Sequence, residues 1–280
     1  MKAIERILVP TDFSPTANDA LLYALDLAQV VGAKVYIFHA ARIPSASIAT
    51  SAYPIGYYEA LNMDELRQEA EKKMENLRHN FLYDPKVTYE CITEVGPAAD
   101  LIGQMAQEKK IDLLVMGARH AEGAETWFGS ITTSMVKNSN CSVLVVPQGV
   151  RFVRPQKLVF ATTLDKLTPL AGLDVLRVFA KTFGAAVDVL HIHAYGKDYT
   201  PEQNKFREAL DQYLTEISHR FTFVASKDVS KGIQHYFESH DADMLVMLPQ
   251  PHSMLDELLH TSKTRYMVFR TQKPLLAVKA

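Results

Sequence analysis

The segment Asp112-Leu-Leu-Val-Met-Gly117 recurs, in worn form, as Asp243-Met-Leu-Val-Met-Leu248. Each copy is an apolar run of strand length that ends where a loop must begin. One architectural unit therefore stands twice in the chain. The first copy ends in Gly117, and the second ends in Leu248 followed by Pro249. Glycine at a strand end allows positive φ and lets a backbone approach a phosphate closely. Leucine does neither, so the two copies are expected to differ in loop chemistry.

A chain of 280 residues is long enough for two ordinary domains, as an internal duplication requires. With 48% hydrophobic residues it can fill two cores. Thirty basic residues against 32 acidic ones leave a net charge of -2, which gives no electrostatic footprint for nucleic acid or an anionic membrane. The start of the chain runs into a strand without a long apolar region, so no signal peptide is expected. No apolar run reaches the roughly 18–20 residues of a membrane span. Two cysteines, Cys91 and Cys141, form no CxxC, which makes a reducing cytoplasm the default expectation.

The periodicity alternates between strand and helix. Ile7–Val9 reads as a buried strand, about Thr16 to Val31 as a helix closed by Gly32, and Val35–Phe38 as a second strand. An uncharged stretch from Pro44 to Tyr58 is too long for a plain connector, and reads as a flap, a contact with the other half or disorder. Asn62 and Glu65 have capping-box spacing for a helix reaching about Phe81. Val87–Thr93 reads as a third strand, and Gly96-Pro97 turns into a helix ending near Lys110. Leu113–Met116, a helix from Ser130 to about Lys137, and Ser142–Val146 complete the unit. The same order returns in the second half. It begins with Leu158–Phe160 and a helix from about Pro169 that stops at Gly184. It ends with Leu275–Val278, and the join falls near Gln148 to Pro155. Such alternation predicts α/β architecture with parallel sheets covered on both faces, and ligands at the carboxyl edge of the strands.

That edge directs attention to Pro10, Thr11 and Asp12 after the first strand, and to Met116, Gly117, Arg119 and His120 at the fourth. Beyond them, Gly129, Ser130 and Ile131 open a helix. Helix-terminal N–H groups suit phosphate oxygens, and Ser130 adds a hydroxyl. Asp12, an acceptor when ionised, suits a base amine or ribose hydroxyls. Together these groups would bind a mononucleotide lengthwise. The alternatives are local: Asp12 as N-cap or Asx-turn, Ser130 as N-cap, Gly117 as a turn residue, and Arg119 and His120 as solvated loop side chains.

Ile-Leu-Val-Pro-Thr-Asp-Phe-Ser at 7–14, Val-Met-Gly at 115–117, Gly-Ser at 129–130 and Ser-Val-Leu-Val-Val-Pro at 142–147 resemble the universal stress protein family. The resemblance covers the chain as two tandem copies, 1–149 and 150–280. It implies two five-stranded, parallel-sheet, Rossmann-like domains of the adenine nucleotide α-hydrolase type, forming an intramolecular pseudo-dimer. It also implies binding of ATP or AMP, with Mg2+ only alongside ATP, in a regulatory rather than catalytic role. Asp12 would then meet adenine, Ala40 would border the base, and Gly117, Gly129 and Ser130 would line the phosphates. The fifth strands would meet each other, or a homodimer or protein partner. The family's binding loop has the form G-x2-G-x9-G-[S/T]. Here its second glycine falls on His120, and the spacer to Gly129 is one residue short.

In the second copy Thr163 stands for Asp12, Leu248-Pro249 for the first glycine and Thr261-Ser262 for Gly129-Ser130. No comparable nucleotide site is expected there. A scaffold or another small-ligand sensor remains the alternative to nucleotide binding, and a slow ATPase a further one. His191 and His193 read as packed histidines or, with His252 or His260, as part of a metal site. His39 has no evident partner. Cys91 and Cys141 read as neutral thiols, and Trp127 as folded over the loop or packed at a domain contact.

Overall fold

The computed structural model describes residues 3–42, 63–82, 86–118, 129–164, 170–193, 200–248 and 273–279. Strands β1 (Arg6–Pro10), β2 (Lys34–Ala41), β3 (Tyr89–Val95), β4 (Leu113–Ala118) and β5 (Ser142–Pro147) belong to the first half. The second half supplies β6 (Lys157–Ala161), β7 (Ala186–His193), β8 (His219–Ala225), β9 (Met244–Met247) and β10 (Leu275–Ala277). Helices α1 (Pro15–Val31), α2 (Met63–Phe81), α3 (Ala98–Glu108) and α4 (Ser130–Asn138) alternate with the early strands. α5 (Asp174–Phe183), α6 (Pro201–Tyr213) and α7 (Val229–Ser239) alternate with the later ones.

The described strands form one sheet in the order β3-β2-β1-β4-β5-β10-β9-β6-β7-β8. Pairing is parallel within each half. The halves join through an antiparallel β5–β10 pair that sets Leu144 opposite Leu276. The fifth strands therefore meet within the chain. β5 lies between β4 and β10, so its backbone edges are already used and cannot recruit a second chain by strand pairing.

Alternate strand residues feed two cores. Ile7, Val9, Val115 and Val246 face the cluster under α1, α2, α5 and α6. Leu8, Leu114, Val145 and Leu245 face the cluster under α3, α4 and α7. A strand buried on both faces reads as a continuous apolar run, which is why the repeated segments lack polar alternation. Each fully buried aliphatic side chain contributes about 1.5–3 kcal/mol relative to exposure.

The repeated aspartate has a structural reason. Asp112 Oδ2 accepts from the backbone N–H groups of Glu5 and Arg6 at 3.1 and 3.0 Å. Asp243 Oδ2 accepts from Gln156 and Lys157 at 2.8 and 3.0 Å. Each carboxylate pins the entry of its half's first strand to the entry of its fourth. Asp112→Ala and Asp243→Ala leave two donors without an acceptor each. Denaturant unfolding is expected to show similar losses for both, about 1–3 kcal/mol, with the Asn variants losing less.

Elsewhere the boundaries shift modestly. The third strand is Tyr89–Val95 rather than Val87–Thr93, set by its parallel register with Val35–Ala41 of β2. Gly32 and Gly184 end α1 and α5 in the left-handed region, at φ 74° and 66°. The Thr200/Gln203 capping box is formed in both directions at the start of α6. The Pro44–Tyr58 stretch, Asn62, Trp127 and the helix expected after Met247 lie outside the described residues.

Candidate functional site

Strand order reverses direction between β1 and β4, since β1 leads to β2 on one side and β4 lies on the other. Parallel sheets leave a crevice at the carboxyl ends of such strands. A cleft of about 1010 Å3 opens there. Pro10, Thr11, Asp12, Ala40, Met116, Gly117, Gly129, Ser130 and Ile131 all line it. Arg119 and His120 lie outside the described residues. The sequence reading missed Arg42, Thr132 and Asn138, which also line the cleft. Arg42 follows Ala40 by two positions at the end of β2, and Thr132 and Asn138 follow Ser130 along α4. Position after a strand and helical spacing were the available signals.

The β1–α1 loop is built from local hydrogen bonds. Thr11 donates its N–H to Phe38 O at 2.8 Å, and its Oγ1 accepts from Phe13 N at 2.9 Å. Phe13 sits at φ 63°. Asp12 Oδ1 accepts from Ser14 N at 3.0 Å, an Asx-turn. The N-cap of α1 is Ser14, whose side chain accepts from Ala17 N, so Asp12 is not the cap. Asp12 itself is exposed at the cleft mouth. His39 has a partner after all: its Nδ1 lies 2.8 Å from Thr11 O, and its ring packs against Phe13 at 4.4 Å. Burial pushes the His39 imidazole below its ordinary value, against the opposing pull of the Thr11 carbonyl.

Gly117 serves a purpose different from the one its position suggested. Its φ is not positive; among the described glycines, only Gly32, Gly96, Gly149 and Gly184 have that conformation. A Cβ at Gly117 would sit 2.5 Å from Thr16 O and 2.6 Å from Thr16 Cγ2. The missing side chain lets the first turn of α1 lie directly on the end of β4. Across the cleft Thr132 Oγ1 donates to Gly117 O at 3.4 Å, tying α4 to the same strand end. Ser130 is not the cap of α4. Gly129 is, with φ -57° and ψ 157° and no side-chain hydrogen bond, and Ser130 is the first helical residue. Among the described residues, no side chain caps the first-turn N–H groups of α4 beside the cleft.

The second half keeps the frame and changes the fittings. His191 Nδ1 lies 3.0 Å from Thr162 O, Thr162 N donates to Leu190 O, and Leu164 sits at φ 58°. These repeat His39, Thr11 and Phe13, and set Thr163 at the place of Asp12. Leu248 holds the Gly117 place and packs against the core. α5 starts only at Asp174, after a 3-10 turn at Leu170–Leu173, and runs 10 residues against 17 for α1. The described part of His191 and His193 is a stacked pair at 6.4 Å. Among the described residues no three metal-ligating side chains cluster. His252, His260, Pro249, Thr261 and Ser262 fall outside them. Burial pushes the Cys91 and Cys141 thiols up, which keeps both protonated at neutral pH.

No described helix is long and apolar enough to cross a membrane. The model of the Universal stress protein family matches residues 3–147. Universal stress protein MJ0531 of Methanocaldococcus jannaschii is 31% identical over 145 residues, covering 51% of this chain and 81% of its own. Universal stress protein Sll1388 of Synechocystis sp. is 30% identical over 151 residues, covering 50% and 96%. Over the whole length, the crystal structure of a universal stress protein from Archaeoglobus fulgidus DSM 4304 has the same fold. Its TM-score is 0.72 at 17% identity, with 98% of each chain covered. The family-model match to residues 3–147, more than half of the sequence, shows that this chain belongs to the universal stress protein family.

Proposed function

We propose that the chain is a regulatory adenine-nucleotide-binding protein, with one site per chain in the cleft of its first half. Two units, 1–149 and 150–280, divide the work: the first binds, and the second keeps the frame without the fittings. The observation that carries this reading is the joint placement of Asp12 and the uncapped start of α4 on one cleft at the strand-order switch. The Asp12 carboxylate accepts from a base amine or ribose hydroxyls. The N–H groups at Gly129–Ile131, with the helix dipole behind them, take phosphate oxygens. Phe38, Ala40, Ile102 and Met116 give the cleft an apolar wall for a flat base.

The regulatory half of the proposal rests on what lines the cleft. Asp12 is the sole carboxylate and Arg42 the sole cation among the described lining residues. Phosphoryl transfer uses a base and carboxylate-held metal at the phosphate end, and Asp12 belongs to the other end. Mg2+ entering with ATP would be held by the phosphates and water.

Titration calorimetry tests the reading. One ATP or AMP is expected per chain, with a rise in Tm as nucleotide is added. Asp12→Ala removes a charged hydrogen-bond partner, about 1.5–3 kcal/mol, so affinity falls roughly 10- to 100-fold. Two nucleotides per chain, or none, would overturn the assignment. ATP turnover that disappears in Ser130→Ala would replace it with an enzyme.

A further inference from the structure

One face of α1 connects the cleft to the second half of the chain. Thr16, Asp19 and Tyr23 are spaced to share that face. Thr16 lines the cleft and is 6% exposed, and its backbone carbonyl is the atom laid against Gly117. Its Oγ1 donates to Gln148 Oε1 at 3.4 Å. One turn on, Asp19 Oδ2 accepts from Gly149 N at 2.8 Å, and Asp19 Oδ1 lies 3.6 Å from Arg151 Nη1. Next, the buried Tyr23 ring meets Phe152 edge-on at 5.3 Å. Phe152 in turn packs on Phe183 of α5 at 5.8 Å.

The segment that joins β5 to β6 is therefore bound down along α1. It also extends the β4–β5 ladder, because Gln148 N donates to Ala118 O at 3.0 Å, one residue past the cleft-lining Gly117. Thr16 and Gly117, already in contact with each other, both line the cleft that a ligand would fill. Both neighbours of that contact, Thr16 itself and Ala118, are bonded to Gln148.

We propose that the 148–152 segment is a regulatory strap that couples occupancy of the first-half cleft to the seating of α5 in the second half. This rests on the nucleotide reading of the cleft for its ligand. Coupling is reciprocal: a strap that tightens on nucleotide binding must, when loosened, weaken nucleotide binding by the same factor. α1 is the rigid element through which it acts. Asp19 is a positioning residue here, since it does not line the cleft.

Hydrogen exchange on the full chain, with and without ATP, combined with calorimetry, tests the strap. In the wild-type protein, ATP is expected to slow exchange in peptides covering 148–152 and the end of α5 around Phe183. Asp19→Ala is expected to weaken ATP at least about fivefold, within the usual range for coupled sites. It is also expected to speed exchange in the 11–17 segment without nucleotide. Phe152→Leu keeps bulk but removes the ring contact, and serves if Asp19→Ala does not fold. ATP binding with unchanged exchange at 148–152, and wild-type affinity in both variants, overturns the strap. Failure of the wild-type protein to bind any nucleotide sinks the nucleotide reading alone. The strap is then judged by exchange at 11–17, and no change there in Asp19→Ala overturns it.

Discussion

Gly117→Ala is expected to lower the melting temperature by roughly 2–12 °C and to disrupt the fit of the first turn of α1 on β4. The new Cβ would lie 2.5 Å from a backbone oxygen, Thr16 O, and 2.9 Å from the carbonyl carbon behind it. Neither can rotate away as a side-chain tip can, so helix or strand must move. Overpacking of this kind costs about 1–3 kcal/mol, and each kcal/mol shifts Tm by about 2–4 °C at this size. The displaced helix carries Ser14, Thr16 and Ala17 of the cleft wall, so nucleotide affinity is expected to fall with stability. Gly103→Ala is the control of opposite sign. It lies inside α3 with nothing within 4 Å of the added atom. Removing glycine from a helix interior is expected to stabilise by about 0.5–1 kcal/mol. Equal melting temperatures for Gly117→Ala and wild type would refute the close-packing role.

Arg220→Ala is expected to cost about 3 kcal/mol near neutral pH and much less in acid. Asp188 is 3% exposed on β7. Arg220 donates Nε and Nη2 to its two oxygens at 2.6 and 2.7 Å, and Tyr236 donates its hydroxyl to Oδ2 at 2.9 Å. Burial pushes the Asp188 carboxyl up. The Arg220 fork, the Tyr236 hydroxyl and the nearby positive charge together outweigh it and hold the group below the usual carboxylate range. Breaking a buried pair by removing one partner costs about 3–5 kcal/mol. The low end applies because the Arg220 side chain is 58% exposed and partly hydrated. The signs of the two proteins' pH dependence differ. In the wild type the carboxyl is depressed, so its stabilisation is present above the unfolded pKa and is lost as pH falls through the folded one. In the variant burial acts with one hydroxyl against it, so the folded pKa rises and the charged form becomes the costly one. The stability gap is expected to widen as pH rises above about 4. Thermal unfolding between pH 4 and 7 measures it, and a gap independent of pH would rule out this origin.

Much of the fold was legible because its signals are local. The apolar runs at Leu113–Met116 and Met244–Met247 have strand length, and Gly32 and Gly184 stop helices by backbone conformation alone. Boundaries set by a partner strand were less so: β3 slid two residues because register with β2, not its own sequence, decides where pairing begins. Nine site positions could be placed on one edge, since chain order and right-handed crossovers fix where strand ends point. The roles of those residues were less accessible. Ser130 has the chemistry of a cap, yet it is the first helical residue and Gly129 takes the cap place. His39 showed no partner because its acceptor, the Thr11 carbonyl, belongs to a neighbouring strand's loop.

The sequence by itself determined the class of fold, the repeated strand pattern and the edge on which the cleft opens, because periodicity and turn residues act within a few residues of themselves. It also marked the second copy as different, through Leu248. Only the tertiary structure decided why Gly117 must be glycine. The reason is a helix carbonyl a hundred residues earlier in the chain, pressed against the place a Cβ would take. It likewise decided that the two copies share one sheet through β5 and β10, and that the segment between them is bound along α1. Those contacts join residues far apart in sequence, and van der Waals exclusion and hydrogen-bond geometry exist only once the chain has brought them together.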